Sequence, residues 1–164
     1  MIILGIDPGL QITGFSIISL VNGKTQLIEV GVLKLKPKDN LQIRVTQFYD
    51  FILEKINTYK ITVIALETAF IGKNAQSFLK LGYLRGILYL ITQKNNLIIY
   101  EFAPKQIKQA VTGSGAATKE QVQTMVKRLF PKINNLQTYD ASDAVAISLC
   151  GLWCLENKYS AIQT

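Results

Sequence analysis

Four of the eleven acidic residues in this 164-residue chain, Asp7, Glu67, Asp140 and Asp143, each border an apolar segment. Asp7 follows Ile2-Ile3-Leu4-Gly5-Ile6 and precedes Pro8-Gly9, so its carboxylate emerges where the backbone leaves a strand. Glu67 repeats that situation after the run Ile61 to Leu66. Asp140 and Asp143 are three residues apart, a spacing that on a helix puts them on one face with Cβ atoms roughly 5–6 Å apart. Singly, each has an ordinary explanation as a turn residue, a cap or a first-turn acid. Together, like charges about 4 Å apart repel by about 4 kcal/mol per pair at an effective dielectric of about 20, and a cation must sit among them. The chain has no histidine, which removes the commonest zinc ligand and the commonest general base. All-oxygen ligation selects Mg²⁺, with Mn²⁺ able to substitute. Two such ions roughly 3.5–4 Å apart, one activating water and one stabilising the leaving oxygen, suit in-line hydrolysis of a phosphodiester.

These residues need strands and helices to bring them together. Residues 2–7 and 13–20 read as strands, and Asn22-Gly23 is a tight hairpin turn into a third, about 24–36. From Leu41 the apolar positions Leu41, Val45, Phe48, Phe51, Ile52 and Ile56 keep helical spacing. The β-branched run 61–66 predicts a strand covered on both faces. A helix from Ala75 to about Thr92 follows, with Gly82 and Gly86 on one face, and then a strand over 97–102. Pro104 opens a helix to about Val111, Gly113-Ser114-Gly115 breaks it, and Thr118 with Gln121 forms a capping box for the next. The last helix is expected from about Tyr139 to Leu155. The order β-β-β-α-β-α-β-α-α predicts an α/β fold of the ribonuclease H-like kind, with a five-stranded mixed sheet. Three antiparallel strands are followed by two parallel ones, and helices cover both faces. Absence of repeats or linkers predicts one domain over 1–164, with a core to 156 and a short tail over 157–164.

Composition narrows the partner. Eighteen Lys and Arg against eleven Asp and Glu leave a net charge of +7, which favours a polyanion, nucleic acid first. Cys150 and Cys154 belong to no complete metal-ligand set and read as free thiols of a reducing compartment. No apolar run is long enough for a membrane span or signal peptide, so a soluble cytoplasmic protein is expected.

At this point the sequence resembles the RuvC family of Holliday junction resolvases over nearly its whole length. Leu4-Gly5-Ile6-Asp7-Pro8-Gly9 with Gly14 resembles the family's first motif, and Leu66-Glu67-Thr68-Ala69-Phe70 its second. The third lies around Asn74-Ala75 and Leu81-Gly82-Tyr83-Leu84-Arg85-Gly86; the fourth runs from Ala103-Pro104 through Lys108, Gly113, Gly115 and Lys119 to Met125. Asp140-Ala141-Ser142-Asp143-Ala144 is similar to the terminal acidic pair. The resemblance implies a homodimer making paired, symmetric nicks in four-way junction DNA, with Mg²⁺ or Mn²⁺ held by Asp7, Glu67, Asp140 and Asp143. It implies Lys108 and Lys119 near the cleaved phosphate and Phe70 stacking on bases near the crossover. Lys73, Asn74 and Arg85 are placed at the DNA, Gly82 and Gly86 at the dimer interface, and a branch-migration complex as partner. Thr68 and Ala116 depart from the family pattern, which bears on sequence preference and loop contacts.

Three other readings remain open on the sequence: an actin-like phosphotransferase, a related nuclease acting on RNA or other branched DNA, and a catalytically silent junction-binding dimer. The choice between Asp140 and Asp143 as direct ligand is open, as is that between a metal-activated water and a lysine as the base.

Overall fold

The computed structural model describes residues 1–68, 75–131 and 138–162. Strands β1 (Ile2–Asp7), β2 (Ile12–Val21) and β3 (Lys24–Lys34) form an antiparallel meander. The β2–β3 turn has Asn22 and Gly23 both at positive φ, 51° and 70°, the backbone a two-residue hairpin of this hand requires. Helix α1 (Leu41–Tyr59) is capped by Asn40, whose side chain accepts from Ile43 N at 2.9 Å. Strands β4 (Val63–Glu67) and β5 (Ile98–Phe102) flank helix α2 (Ala75–Lys94). Both are parallel to β1, giving the order β3-β2-β1-β4-β5. Helices α3 (Pro104–Thr112), α4 (Lys119–Leu129) and α5 (Tyr139–Ile162) complete the chain. This is the ribonuclease H-like arrangement expected from the order of elements.

Alternation along the central strands divides the core in two. Leu4, Ile6, Ile64 and Leu66 point to the face covered by α1 and α2, where Phe48, Ile52, Leu84 and Leu88 meet them. Ile3, Val63 and Ala65 point to the opposite face, covered by α3, α4 and α5. Each of these side chains is almost wholly buried, and burying a residue of the Ile or Leu kind contributes about 1.5–3 kcal/mol. A one-residue slip of β1 or β4 would exchange the two faces, so the register is firmly held. That register decides where the strand-end acids point, because Asp7 and Glu67 continue the odd-numbered series 3, 5, 7 and 63, 65, 67.

Element boundaries shift modestly from the sequence-based expectation. Strand β4 begins at Val63 and includes Glu67, while Ile61 is buried beside it rather than in the ladder. Helix α5, expected to end at about Leu155, continues to Ile162, the last of the described residues. The segment Glu156 to Ile162 contains neither Gly nor Pro to stop it. Among the described residues no helix is long and apolar enough to cross a membrane.

Candidate active site

Strand register builds the first half of the site. Ile6 pairs with Leu66 in parallel, so the next residues, Asp7 and Glu67, leave the sheet side by side on the face that α5 covers. Asp7 is also paired across the antiparallel ladder with Gly14.

Close packing of α5 supplies the second half. A Cβ on Gly14 would stand 2.0 Å from the carbonyl oxygen of Asp140, and one on Gly5 would stand 2.5 Å from that of Ala144. Only bare backbone at both positions lets the first turns of α5 lie against β1 and β2. Ser16 Oγ, fully buried, donates to the Ala144 carbonyl at 2.8 Å and lies 2.7 Å from Ser148 Oγ. The capping role at the start of α5 falls to Thr138, whose hydroxyl accepts from Ala141 N at 3.3 Å. Asp140 and Asp143 therefore stand over the strand ends without being needed as caps.

Asp7, Glu67 and Asp143 line a cavity of about 280 Å³ together with Lys108 of α3 and Lys119 of α4, over apolar residues that include Ile107 and Val122. Asp140 sits outside that lining but close enough for its charge to act on Asp7. Lys119 opens α4 behind the predicted capping box. Thr118 Oγ1 accepts from Gln121 N at 3.3 Å, and Gln121 Oε1 accepts from Thr118 N at 2.8 Å. Its ammonium lies 3.4 Å from Asp143 Oδ2.

The electrostatics follow from confinement. Burial, then the charges of Asp143, Glu67 and Asp140, push the Asp7 carboxyl from its ordinary 3.8 up to about 7, against the opposing pull of Lys119. Burial and Asp143 raise Glu67, while Lys119 and Lys108 pull it down. Asp143 is raised by burial despite Lys119 beside it, and the Lys119 ammonium is in turn held protonated by Asp143. Three acids are thus pressed toward neutrality, with Lys108 and Lys119 as counter-charges among the residues lining the cavity.

Such a donor set fits a hard divalent cation. Among the described residues, no group of three or more acids, cysteines or histidines is gathered into a ready ligand cage. Mg²⁺ seldom uses one, keeping several waters and taking one or two carboxylates plus phosphate oxygens of a substrate. Buried carboxylates with raised proton affinity, and no imidazole or thiol among the residues lining the cavity, suit a hard divalent cation better than zinc.

Similarity to known proteins follows the same residues. The family model for crossover junction endodeoxyribonuclease RuvC matches residues 3–151, from β1 through the acidic pair of α5. The chain belongs to the RuvC family. It is 38% identical to the crossover junction endodeoxyribonuclease RuvC of Chlorobium phaeobacteroides over 158 residues, covering 96% of this chain and 84% of that one. The Thermus thermophilus RuvC structure superposes with a TM-score of 0.86 at 25% identity, covering 96% and 97% of the two chains. The same T. thermophilus protein in complex with Holliday junction substrate gives 0.84 at 24% identity, covering 95% and 96%.

Of the residues expected from the RuvC motifs, the fold brings Asp7, Glu67, Asp140, Asp143, Lys108 and Lys119 to one place. Phe70, Lys73 and Asn74 lie outside the described residues. Gly82 and Gly86 face open space, in a groove of about 510 Å³ that also includes Val45, Tyr83, Ile87 and Leu90. Arg85, expected at the DNA, is held within the fold. It is only 9% exposed, and its guanidinium turns inward to the Glu67 carbonyl and to Glu101. The sequence carries no signal for Glu101 in this role, since the contact exists only once β5 lies beside β4.

Proposed function

We propose that this RuvC-family chain is a divalent-metal-dependent endonuclease that resolves four-way DNA junctions by paired, symmetric nicks in recombination and repair. The observation that carries this reading is the convergence of Asp7, Glu67 and Asp143 with Lys108 and Lys119 on one cavity, inside a chain that matches the family across 149 of its residues, 3–151. The T. thermophilus relative bound to a Holliday junction supports the substrate class. Mg²⁺ is the expected ion, Mn²⁺ a substitute, and two per site the expected number.

The chain's own groups divide the work. Asp7 and Glu67, fixed at adjacent strand ends, present carboxyl oxygens toward the cavity, and Asp143 faces them from α5. Asp140, farther out, contributes field rather than a lining oxygen. A divalent cation bound among these oxygens supplies positive charge that activates water and stabilises the leaving oxygen. Lys108 and Lys119 neutralise phosphate charge at the cavity mouth, which draws the backbone in and favours the more anionic transition state. The Asp7 carboxyl, raised to about 7 in so crowded a site, would be drawn to its ionised form when positive charge enters.

Paired nicks require two sites, and a two-fold homodimer provides them on a substrate that is itself nearly two-fold symmetric. The groove at Gly82 and Gly86, flanked by exposed Leu79, Tyr83 and Leu90, is the surface proposed for that contact. The chain acts as one nuclease domain in the cytoplasm, handing cut junctions on from a branch-migration complex. The test is cleavage of a mobile four-way junction with Mg²⁺, beside EDTA, linear duplex and structured RNA. Symmetric nicks only with junction and metal are expected. Equal cutting of duplex or RNA, or cutting in EDTA, would overturn the reading.

A further inference from the structure

We propose that Arg85 is a positioning residue for Glu67, holding the end of β4 through a half-buried bridge to Glu101 and Tyr89. The inference rests on Glu67 belonging to the catalytic set. Arg85 Nη1 donates to the backbone carbonyl of Glu67 at 2.7 Å, and its Nη2 donates to Glu101 Oε1 at 2.6 Å. Tyr89 Oη, one helical turn along α2, donates to the same Glu101 oxygen. The three side chains join α2, β4 and β5 at the point where β4 ends. Thr68 N donates to the Phe102 carbonyl at 2.8 Å there, closing the last rung between β4 and β5.

The division of labour within Glu67 is the telling feature. Its carboxylate faces the cavity on the α5 side of the sheet, whereas its carbonyl is gripped by a residue of α2, which packs on the other side. The side chain stays available to the reaction while the backbone from which it hangs is fixed. Glu101 matches the charge of Arg85, and the groups that move the Glu67 carboxyl are Asp143, Lys119 and Lys108. The bridge therefore acts through geometry. A guanidinium can hold a carbonyl with one nitrogen and a carboxylate with the other, in a plane; a lysine ammonium supplies the charge without that fork. Groups that orient a ligating carboxylate commonly change metal affinity or activity by about 10- to 100-fold when altered.

The experiment compares wild type, Arg85→Lys, Tyr89→Phe and Glu67→Gln on a four-way junction, with Mg²⁺ titrated in single-turnover cleavage and junction binding measured in Ca²⁺ or EDTA. Arg85→Lys is expected to cut about 10- to 100-fold more slowly, to need more Mg²⁺ for half-maximal rate, and to bind junction within about twofold of wild type. Tyr89→Phe, which leaves Arg85 and all charges in place, is expected to shift the Mg²⁺ requirement the same way by a smaller factor. Unchanged rate and Mg²⁺ requirement in Arg85→Lys would overturn the proposal, as would loss of junction binding in step with cleavage, the signature of a direct DNA contact. If Arg85→Lys does not fold, an unchanged Mg²⁺ requirement in Tyr89→Phe overturns it instead. Full activity in Glu67→Gln would instead refute the assignment of Glu67, a failure that these measurements distinguish from failure of the bridge.

Discussion

Replacing Asp7 by Asn should stabilise the metal-free protein while abolishing its cleavage. Inside the site the Asp7 carboxyl titrates at about 7 rather than 3.8. At 1.36 kcal/mol per pH unit, holding it ionised costs the fold on the order of 4 kcal/mol. The sign follows from the raised value. Below about 3.8 the carboxyl is neutral in folded and unfolded chains alike, and its contribution to stability is fully present. Between about 3.8 and about 7 the unfolded chain loses the proton first, and stability declines as pH rises; above about 7 the loss is complete. Asparagine has the same shape and no charge, so Asp7→Asn should match wild type near pH 4. It should gain steadily to about 2–4 kcal/mol at pH 8, the upper end being the full linkage value. Urea unfolding in EDTA at pH 4.5, 6 and 8 reads this directly. Saturating Mg²⁺ should narrow the gap by stabilising wild type alone. Equal stability of the two proteins at pH 8 in EDTA would refute the crowding argument, and cleavage by the variant in Mg²⁺ would refute the site.

Gly14→Ala should be far more damaging than the addition of a single methyl suggests. The added methyl would sit 2.0 Å from the Asp140 carbonyl, so α5 must lift; a loss of about 1–3 kcal/mol in urea unfolding and about 100-fold in cleavage rate is expected. Lys119→Ala removes the charge that holds Asp7, Glu67 and Asp143 down. The acidic limb of its pH–rate profile should move toward higher pH, with a rate loss on the order of 10-fold at pH 7; an unmoved limb would contradict the electrostatic account.

Much of this arrangement is legible in the sequence, and for identifiable reasons. The apolar runs before Asp7 and Glu67 define strands, and the period of two then assigns both acids to one face as soon as the strands are neighbours. The spacing of Asp140 and Asp143 gives a shared helical face, and Thr118 with Gln121 gives the start of α4 and hence the place of Lys119. What the sequence could not reveal depends on contacts between distant segments. Arg85 in a basic chain reads as a surface cation, because its partners lie 18 and 16 residues away on two strands whose adjacency is a property of the sheet. Gly14 is visible as a motif glycine, yet its reason, the backbone of Asp140 lying on it, needs the crossing of α5 over β2. The separation of Asp143 inside the cavity from Asp140 outside it likewise depends on how α5 is tilted against the sheet.

Lys119 occupies the first position of α4, where unpaired backbone N–H groups already concentrate positive charge and a cation is disfavoured. For the helix by itself an acid there would be the better choice. The ammonium is tolerated because Asp143 and its neighbours face it. Consensus-style stabilisation, which favours acids at helix starts, would here set a further carboxylate against Asp7, Glu67 and Asp143 and lower the melting temperature as well as strip the site of its counter-charge. A library selected for heat resistance and one selected for junction cutting should therefore both hold a cation at residue 119, and sequencing the two pools would show the ordinary rule for helix starts overruled at a single codon.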